Sequence, residues 1–143
     1  MMVYQLDHVV VWVADPVRSL AFYQEVMGLE PVRAVEYAAG EAPFVSVRLG
    51  PGTILDLMAV ASAPKVDALT GVEGGAGNRL NHICLAMTET EFEALHQRLH
   101  AGGHGTTSPY LTNLYGARGN APRSFYFTDP DGNVFEARYY DPA

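Results

Sequence analysis

The sequence predicts an α+β fold built from two tandem βαβββ modules, whose eight strands form a cup-shaped mixed sheet. Three observations predict it. A Val-rich run of strand length, LDHVVVWV at 6–13, is answered by LNHICLAM at 80–87, with His82 at the place of His8. Each run leads into a helical pattern with a start signal and a glycine stop. The two units also end alike, since Gly52-Thr53-Ile54-Leu55-Asp56 parallels Gly132-Asn133-Val134-Phe135-Glu136. In both, a turn glycine is followed four residues later by an acid. Half-sheets that each bury one face under a helix leave their other faces to line a hollow.

In chain order, residues 6–15 read as a strand that ends at a helix start. Asp15 suits the N-cap and Pro16 the first helical position. The helix is expected to turn Leu20, Tyr23, Val26 and Met27 inward and to stop at Gly28. Residues 31–38, 43–50 and 52–60 read as strands, the last two joined at Pro51-Gly52. Residues 61–78 carry Pro, several glycines and no periodicity, the pattern of a linker. After the strand at 80–87, Thr88 and Glu91 form a capping box for a helix with Phe92, Leu95 and Leu99 inward, ending at Gly102-Gly103. A weaker strand is expected near 104–110, then a loop containing Gly, Asn and Pro. A hairpin across 124–140 closes the chain around Asp129-Pro130-Asp131-Gly132. The chain thus reads as one domain, with module one at 1–60, a linker at 61–78 and module two at 79–143.

Bulk properties narrow the function. At 143 residues, with 48% apolar and 17% charged residues, the chain can bury a core without disulfides. A formal charge of −7 and the lack of any Lys/Arg cluster argue against nucleic acid as a partner. Cys84 is the single cysteine, so no internal disulfide can form, which fits a reducing cytoplasm. The N-terminal apolar run has no basic flank or cleavage site and is too short to span a bilayer. The expectation is a cytoplasmic protein with no membrane partner.

Strand parity then selects the candidate site. Val134, Glu136, Arg138 and Tyr140 share one face of the last strand, with Phe135 and Ala137 on the other. Glu136 is a carboxylate among apolar neighbours, and desolvating it without a positive partner costs several kcal/mol. The partner is either a cation held with His8 and His82 or an arginine, Arg138 or Arg48. The same parity places Val10 and Trp12 with His8, Cys84 with His82, and Ile54 and Met58 with Asp56. Ser46 and Arg48 are candidates for the same lining. Tyr126 and Ser124 fall on one face of their strand, and Phe125 and Phe127 on the other. Such a lining, apolar and aromatic with a few polar groups, suits a small molecule.

Two imidazoles and one carboxylate can occupy one face of an octahedral ion and leave positions open for substrate. Asp56 is a candidate fourth ligand or an outer group orienting a histidine, one methylene shorter than Glu. Tyr126 is a candidate to orient a substrate oxygen or to line the wall. Arg138 is a candidate for an anionic substrate group or a rim residue. His96 and His100, spaced i, i+4 on the second helix, read as surface residues, and Cys84 as a buried, inert thiol. The Asp129–Gly132 segment lacks the further ligands of a calcium loop and reads as a turn.

The segments LDHVVVWVADPVRSLAFYQEVMGLEPV, LNHICLAM and RSFYFTDPDGNVFEARYY resemble the vicinal-oxygen-chelate superfamily. That group includes glyoxalase I, fosfomycin-resistance proteins, extradiol dioxygenases and bleomycin-resistance proteins. The resemblance spans the chain except 61–78 and 104–122. It implies that His8, His82 and Glu136 are metal ligands for a divalent ion (Fe, Mn, Ni, Co or Zn), with Asp56 at the place of a fourth. It implies a glyoxalase-like fold and catalytic roles for Glu136 and Tyr126, while strand parity offers Trp12, Arg48, Met58, Tyr126 and Arg138 as the residues that line the substrate. The implied function is a metal-dependent lyase, isomerase or addition enzyme of glyoxalase or fosfomycin-resistance type, acting on a small molecule chelated through adjacent oxygens. An Fe(II) extradiol-type dioxygenase is the first alternative, and a non-catalytic sequestering protein of bleomycin-resistance type the second. A homodimer is also implied. Three departures stand out: Asp replaces the usual Glu at position 56, no further histidine has cup-facing parity to act as a dioxygenase base, and Lys65 is the only lysine.

Overall fold

A computed structural model describes residues 3, 5–77, 80–106 and 111–142, with backbone alone at 111–115 and 119. The chain divides into two compact units, Met1–Arg79 and Leu80–Ala143. The first runs β1 (His8–Val13), α1 (Pro16–Glu25), β2 (Glu30–Val32), α2 (Ala34–Ala38), β3 (Val45–Gly50), β4 (Thr53–Ala59) and α3 (Ala63–Thr70). The second runs β5 (Ile83–Ala86), α4 (Glu89–Ala101), β6 (Leu111–Gly116), β7 (Gly119–Thr128) and β8 (Val134–Arg138).

Each unit holds one four-stranded sheet, ordered β1-β4-β3-β2 in the first and β5-β8-β7-β6 in the second. In both, the opening strand pairs parallel with the closing strand and the remaining pairs are antiparallel. Two βαβββ modules in one mixed α+β chain are therefore present, as the duplicated runs predict.

Local chemistry accounts for the elements. The Asp15 carboxylate accepts from the backbone N–H groups of Val17 at 3.0 Å and Arg18 at 3.3 Å, and Pro16 opens α1. Thr88 accepts from Glu91 N at 3.2 Å while the Glu91 carboxylate accepts from Thr88 N at 3.0 Å, completing the expected capping box of α4. Phe92, Leu95 and Leu99 are buried as expected. On α1 the buried stripe is Pro16, Ser19, Phe22 and Tyr23, rotated from the expected one, with Leu20, Val26 and Met27 half-buried. Turning both rings inward, edge to face at 5.5 Å, removes more apolar area from water than Leu20 would.

The cores follow the predicted alternation. Val11, Val13, Val45, Val47, Leu55 and Leu57 are buried with α1 packed on β3 and β4. In the second unit, Phe125, Phe127, Phe135 and Ala137 are buried, and the Phe92 ring of α4 packs at a tilt against Phe125 with ring centroids 4.8 Å apart. At the closing turn, the buried Asp129 carboxylate accepts from the N–H groups of Asp131 and Asn133 at 2.9 and 2.8 Å and from Asn133 Nδ2 at 2.8 Å. Gly132 supplies the left-handed φ of 81°.

Three stretches differ from the sequence expectation. The strand expected over 31–38 is only three residues long, because Arg33 adopts a left-handed φ of 64° and the helix formers after it wind into α2. The stretch at 61–78 carries α3, preceded by a short 3₁₀ turn at Val60–Ser62. Its helical period is weak because Leu69, its large apolar residue, faces solvent. Beyond α3, Asp67 accepts from Gly74 N and Ala76 N at 2.9 and 2.8 Å. The loop expected before the closing hairpin is instead a second hairpin, β6 to β7, closed at Gly116 opposite Gly119. Pro122 disguised it, since proline donates no ladder hydrogen bond; it sits where the β6–β7 register is irregular. Of the weak strand expected near 104–110, Thr106 forms an isolated bridge with Phe127, and 107–110 lie outside the described residues.

Candidate functional site

The second unit carries a cavity of about 450 Å³ lined by strand faces and the β6–β7 turn. Its chemistry comes from β5 and β8, which run parallel with Cys84 opposite Glu136, and from β7, where Tyr126 stands opposite Glu136. Strand parity puts His82, Cys84, Tyr126, Glu136, Arg138 and Tyr140 in the lining of this cavity.

Glu136 is buried, and its two oxygens have different company. Oε2 accepts from Arg138 Nε at 2.8 Å and pairs with Nη2 at 2.6 Å, a two-pronged contact within one strand. Oε1 lies 3.6 Å from Nε2 of His82. Arg138 is therefore a buried partner of Glu136 rather than a rim residue. Tyr126 packs its ring edge-on to the His82 ring at 5.5 Å. Cys84, expected to be buried, is exposed; desolvation of its sulfur and the neighbouring Glu136 charge push the thiol up to about 11, away from the reactive thiolate.

The first unit presents the matching positions. His8 opens β1, and Val10 and Trp12 follow on the same face, in register with Asp56 and Met58 of β4. Asp56 is buried opposite Ser46, whose hydroxyl donates to Oδ1 at 2.6 Å. Arg33 Nη2 reaches the same oxygen at 3.5 Å and also donates to Ser46 Oγ, while its guanidinium lies over the Phe44 ring at 4.9 Å. Arg48 donates to the Pro51 carbonyl at 3.2 Å.

Both histidines share one feature. Nδ1 of His8 contacts Oδ1 of Asp7 at 2.6 Å, and Nδ1 of His82 contacts Oδ1 of Asn81 at 2.6 Å. An acceptor on Nδ1 fixes the proton there and leaves Nε2 as the basic nitrogen, the arrangement that outer partners give to metal-binding imidazoles. The Asp7 hydrogen bond first, then the Asp56 charge, raises the His8 pKa.

The donors fit a divalent ion in their chemistry. Nε2 of His82 and Oε1 of Glu136 are separated by a distance that two donors about 2.1 Å from one ion can span. Within the described residues no group of three or more His, Cys, Asp or Glu side chains is drawn together as a closed cluster. Sequence reasoning missed two members. Arg118 sits at the β6–β7 turn and lines the cavity, hidden because that hairpin was read as a loop. Arg33 was hidden because its segment was read as strand. The Gly116-Ala117-Arg118-Gly119 pattern was the available signal for the first. His96, expected on the surface, is half-buried, with Nε2 3.2 Å from Thr106 Oγ1 and its ring 5.1 Å from that of Phe125.

Comparison with solved structures agrees with the fold. An integron cassette protein from the mobile metagenome of V. cholerae is 26% identical, covering 99% of this chain and 98% of its own, with a TM-score of 0.71. Lactoylglutathione lyase from Agrobacterium tumefaciens is 21% identical over 94% of this chain and 92% of its own, with a TM-score of 0.67. The fosfomycin resistance protein FosX from Listeria monocytogenes is 22% identical over 98% and 96%, with a TM-score of 0.65. No curated protein matches the chain. Among the described residues no helix is long and apolar enough to cross a membrane. The family model for the Glyoxalase/Bleomycin resistance protein/Dioxygenase superfamily matches residues 5–137, and with its duplicated βαβββ architecture the chain belongs to that superfamily.

Proposed function

We propose that the protein is a divalent-metal-dependent enzyme of glyoxalase or fosfomycin-resistance type, catalysing a lyase, isomerase or addition reaction on a small molecule that presents adjacent oxygens. The observation that carries this reading is the matched pair of histidines, each with Nδ1 held by the preceding side chain, one of them with Nε2 facing the Glu136 oxygen that Arg138 leaves open. His82, Glu136 and His8 are the proposed ligands, with Asp56 engaged by Ser46 and Arg33 and therefore better suited to an outer role. The ion (Fe, Mn, Ni, Co or Zn) would act as a Lewis acid toward the substrate oxygens.

The residues divide the remaining work. Asn81 and Asp7 orient the imidazoles. Arg138 pairs with the buried Glu136 carboxylate and offsets the cost of taking its charge out of water. Tyr126, opposite Glu136 and against His82, is placed to donate its phenolic proton to a substrate oxygen. Trp12, Arg48 and Met58 remain proposed substrate contacts from the first unit. A homodimer in the cytoplasm completes the proposal, on family likeness.

A second reading is favoured by the Arg138–Glu136 pair itself, which already neutralises the carboxylate: a cup that only sequesters its ligand. One titration separates the two. Chelator-stripped protein titrated with Mn, Fe, Ni, Co and Zn should bind one equivalent, and His82→Ala should weaken binding at least tenfold. Failure of every metal to bind, or equal affinity in the variant, overturns the enzyme reading.

A further inference from the structure

We infer that Arg138 is a positioning residue for the proposed ion: by taking one oxygen of Glu136 with both prongs of its guanidinium, it restricts the carboxylate to ligation through the other oxygen alone. The inference rests on the proposed function for the presence of an ion and adds what governs how Glu136 meets it.

The use of the fork is the first argument. An arginine that meets a carboxylate end-on spends two parallel N–H groups on two oxygens. Here both prongs converge on one. Nε donates to Oε2 at 2.8 Å, and Nη2 lies 2.6 Å from the same atom. The strand accounts for this, because Glu136 and Arg138 stand two residues apart on one face of β8 and the guanidinium reaches the carboxylate from its side. Oε1 is left to face His82, whose Nε2 is 3.6 Å away. The Cys84 thiol also hydrogen-bonds the carboxylate, and a thiol is a weak donor.

The second argument is the fixity of Arg138. Its side chain is buried, its Nη1 donates to the Tyr140 hydroxyl at 3.4 Å, and its guanidinium carbon lies 5.9 Å from the centroid of that ring. Swinging it away from Oε2 would leave two buried charges unpaired, which is strongly unfavourable. An incoming ion therefore meets a carboxylate with one oxygen already occupied.

The chemical effect is on the space and charge at the ion. A carboxylate that grips through both oxygens fills two coordination positions, so Arg138 preserves one more place for substrate oxygens. By sharing the charge of Glu136 it also weakens the carboxylate as a donor and leaves the ion a stronger Lewis acid.

The test uses full-length protein, stripped with chelator and reloaded with Mn(II) as the probe. Infrared difference spectra of protein carrying isotope-labelled glutamate, ion-loaded minus ion-free, report the separation of the two carboxylate stretches. That separation is wide for ligation through one oxygen and narrow for ligation through two, and the label distinguishes Glu136 from Asp56. Water-proton relaxation counts the waters on the bound Mn(II). Wild type should show the wide separation, and Glu136→Gln should abolish the signal. Arg138→Gln should narrow the separation, remove one bound water and raise Mn(II) affinity about tenfold, while Arg138→Lys, which keeps the charge but not the fork, should fall between. The wild-type spectrum decides the matter even if neither arginine variant folds. A narrow separation in the wild type, or a folded Arg138→Gln with wild-type separation and water number, overturns the inference and leaves Arg138 a structural role alone. A wild type that takes up no ion overturns the proposed function and this inference together, whereas ion uptake with a narrow separation removes only the inference.

Discussion

Arg138 decides how Glu136 survives burial. Both side chains are almost fully inaccessible, 6% and 3% exposed, so neither charge can be hydrated if the other is lost. Replacing Arg138 with Met leaves an uncompensated carboxylate, and such truncations cost about 3–5 kcal/mol. Urea unfolding at pH 7 should show that loss, and adding Glu136→Gln to the same variant, which removes the unpaired charge, should recover part of it. A loss below about 1 kcal/mol would mean that Glu136 has other compensation. The need for a positive group near Glu136 was legible from strand parity alone. Which group met it was not, because sequence left the cation and the two arginines open, and only the 2.6 Å contact names Arg138.

At the scale of elements, the helix starts were the most legible features, since the chemistry that satisfies free N–H groups is local in sequence. Thr88 and Glu91 cap α4 in both directions. Thr88→Ala should therefore destabilise the protein by about 1 kcal/mol without altering its circular dichroism at low temperature, while Thr88→Ser should be near neutral. Equal stability of the alanine variant would show that α4 is held by Phe92, Leu95 and Leu99 alone. Less legible were α2, α3 and the β6–β7 hairpin. Each depends on something sequence periodicity does not carry: the left-handed turn at Arg33, the solvent-facing Leu69, and the irregular register around Pro122. Missing that hairpin also hid Arg118, so an error in an element became an error in the site.

For the whole molecule, the repeat of LDHVVVWV in LNHICLAM anticipated the two sheets of identical strand order. The histidine and acid positions come with that order, because register places Asp56 beside Val10 and Ser46 as it places Glu136 beside Cys84 and Tyr126. Sedimentation velocity should report a species of twice 15.5 kDa if the proposed homodimer forms, and a monomer at micromolar concentration would dismiss it.

The two acids are nonetheless guarded by arginines of different origin. Arg138 lies two residues beyond its acid on the same strand, whereas Arg33 reaches Asp56 from the bend between β2 and α2. The guard is thus local to its strand in the second unit and remote in the first. A β4 strand transplanted onto the second unit would arrive without Arg33, whereas β8 would carry Arg138 along with its acid, so the two closing strands are not interchangeable.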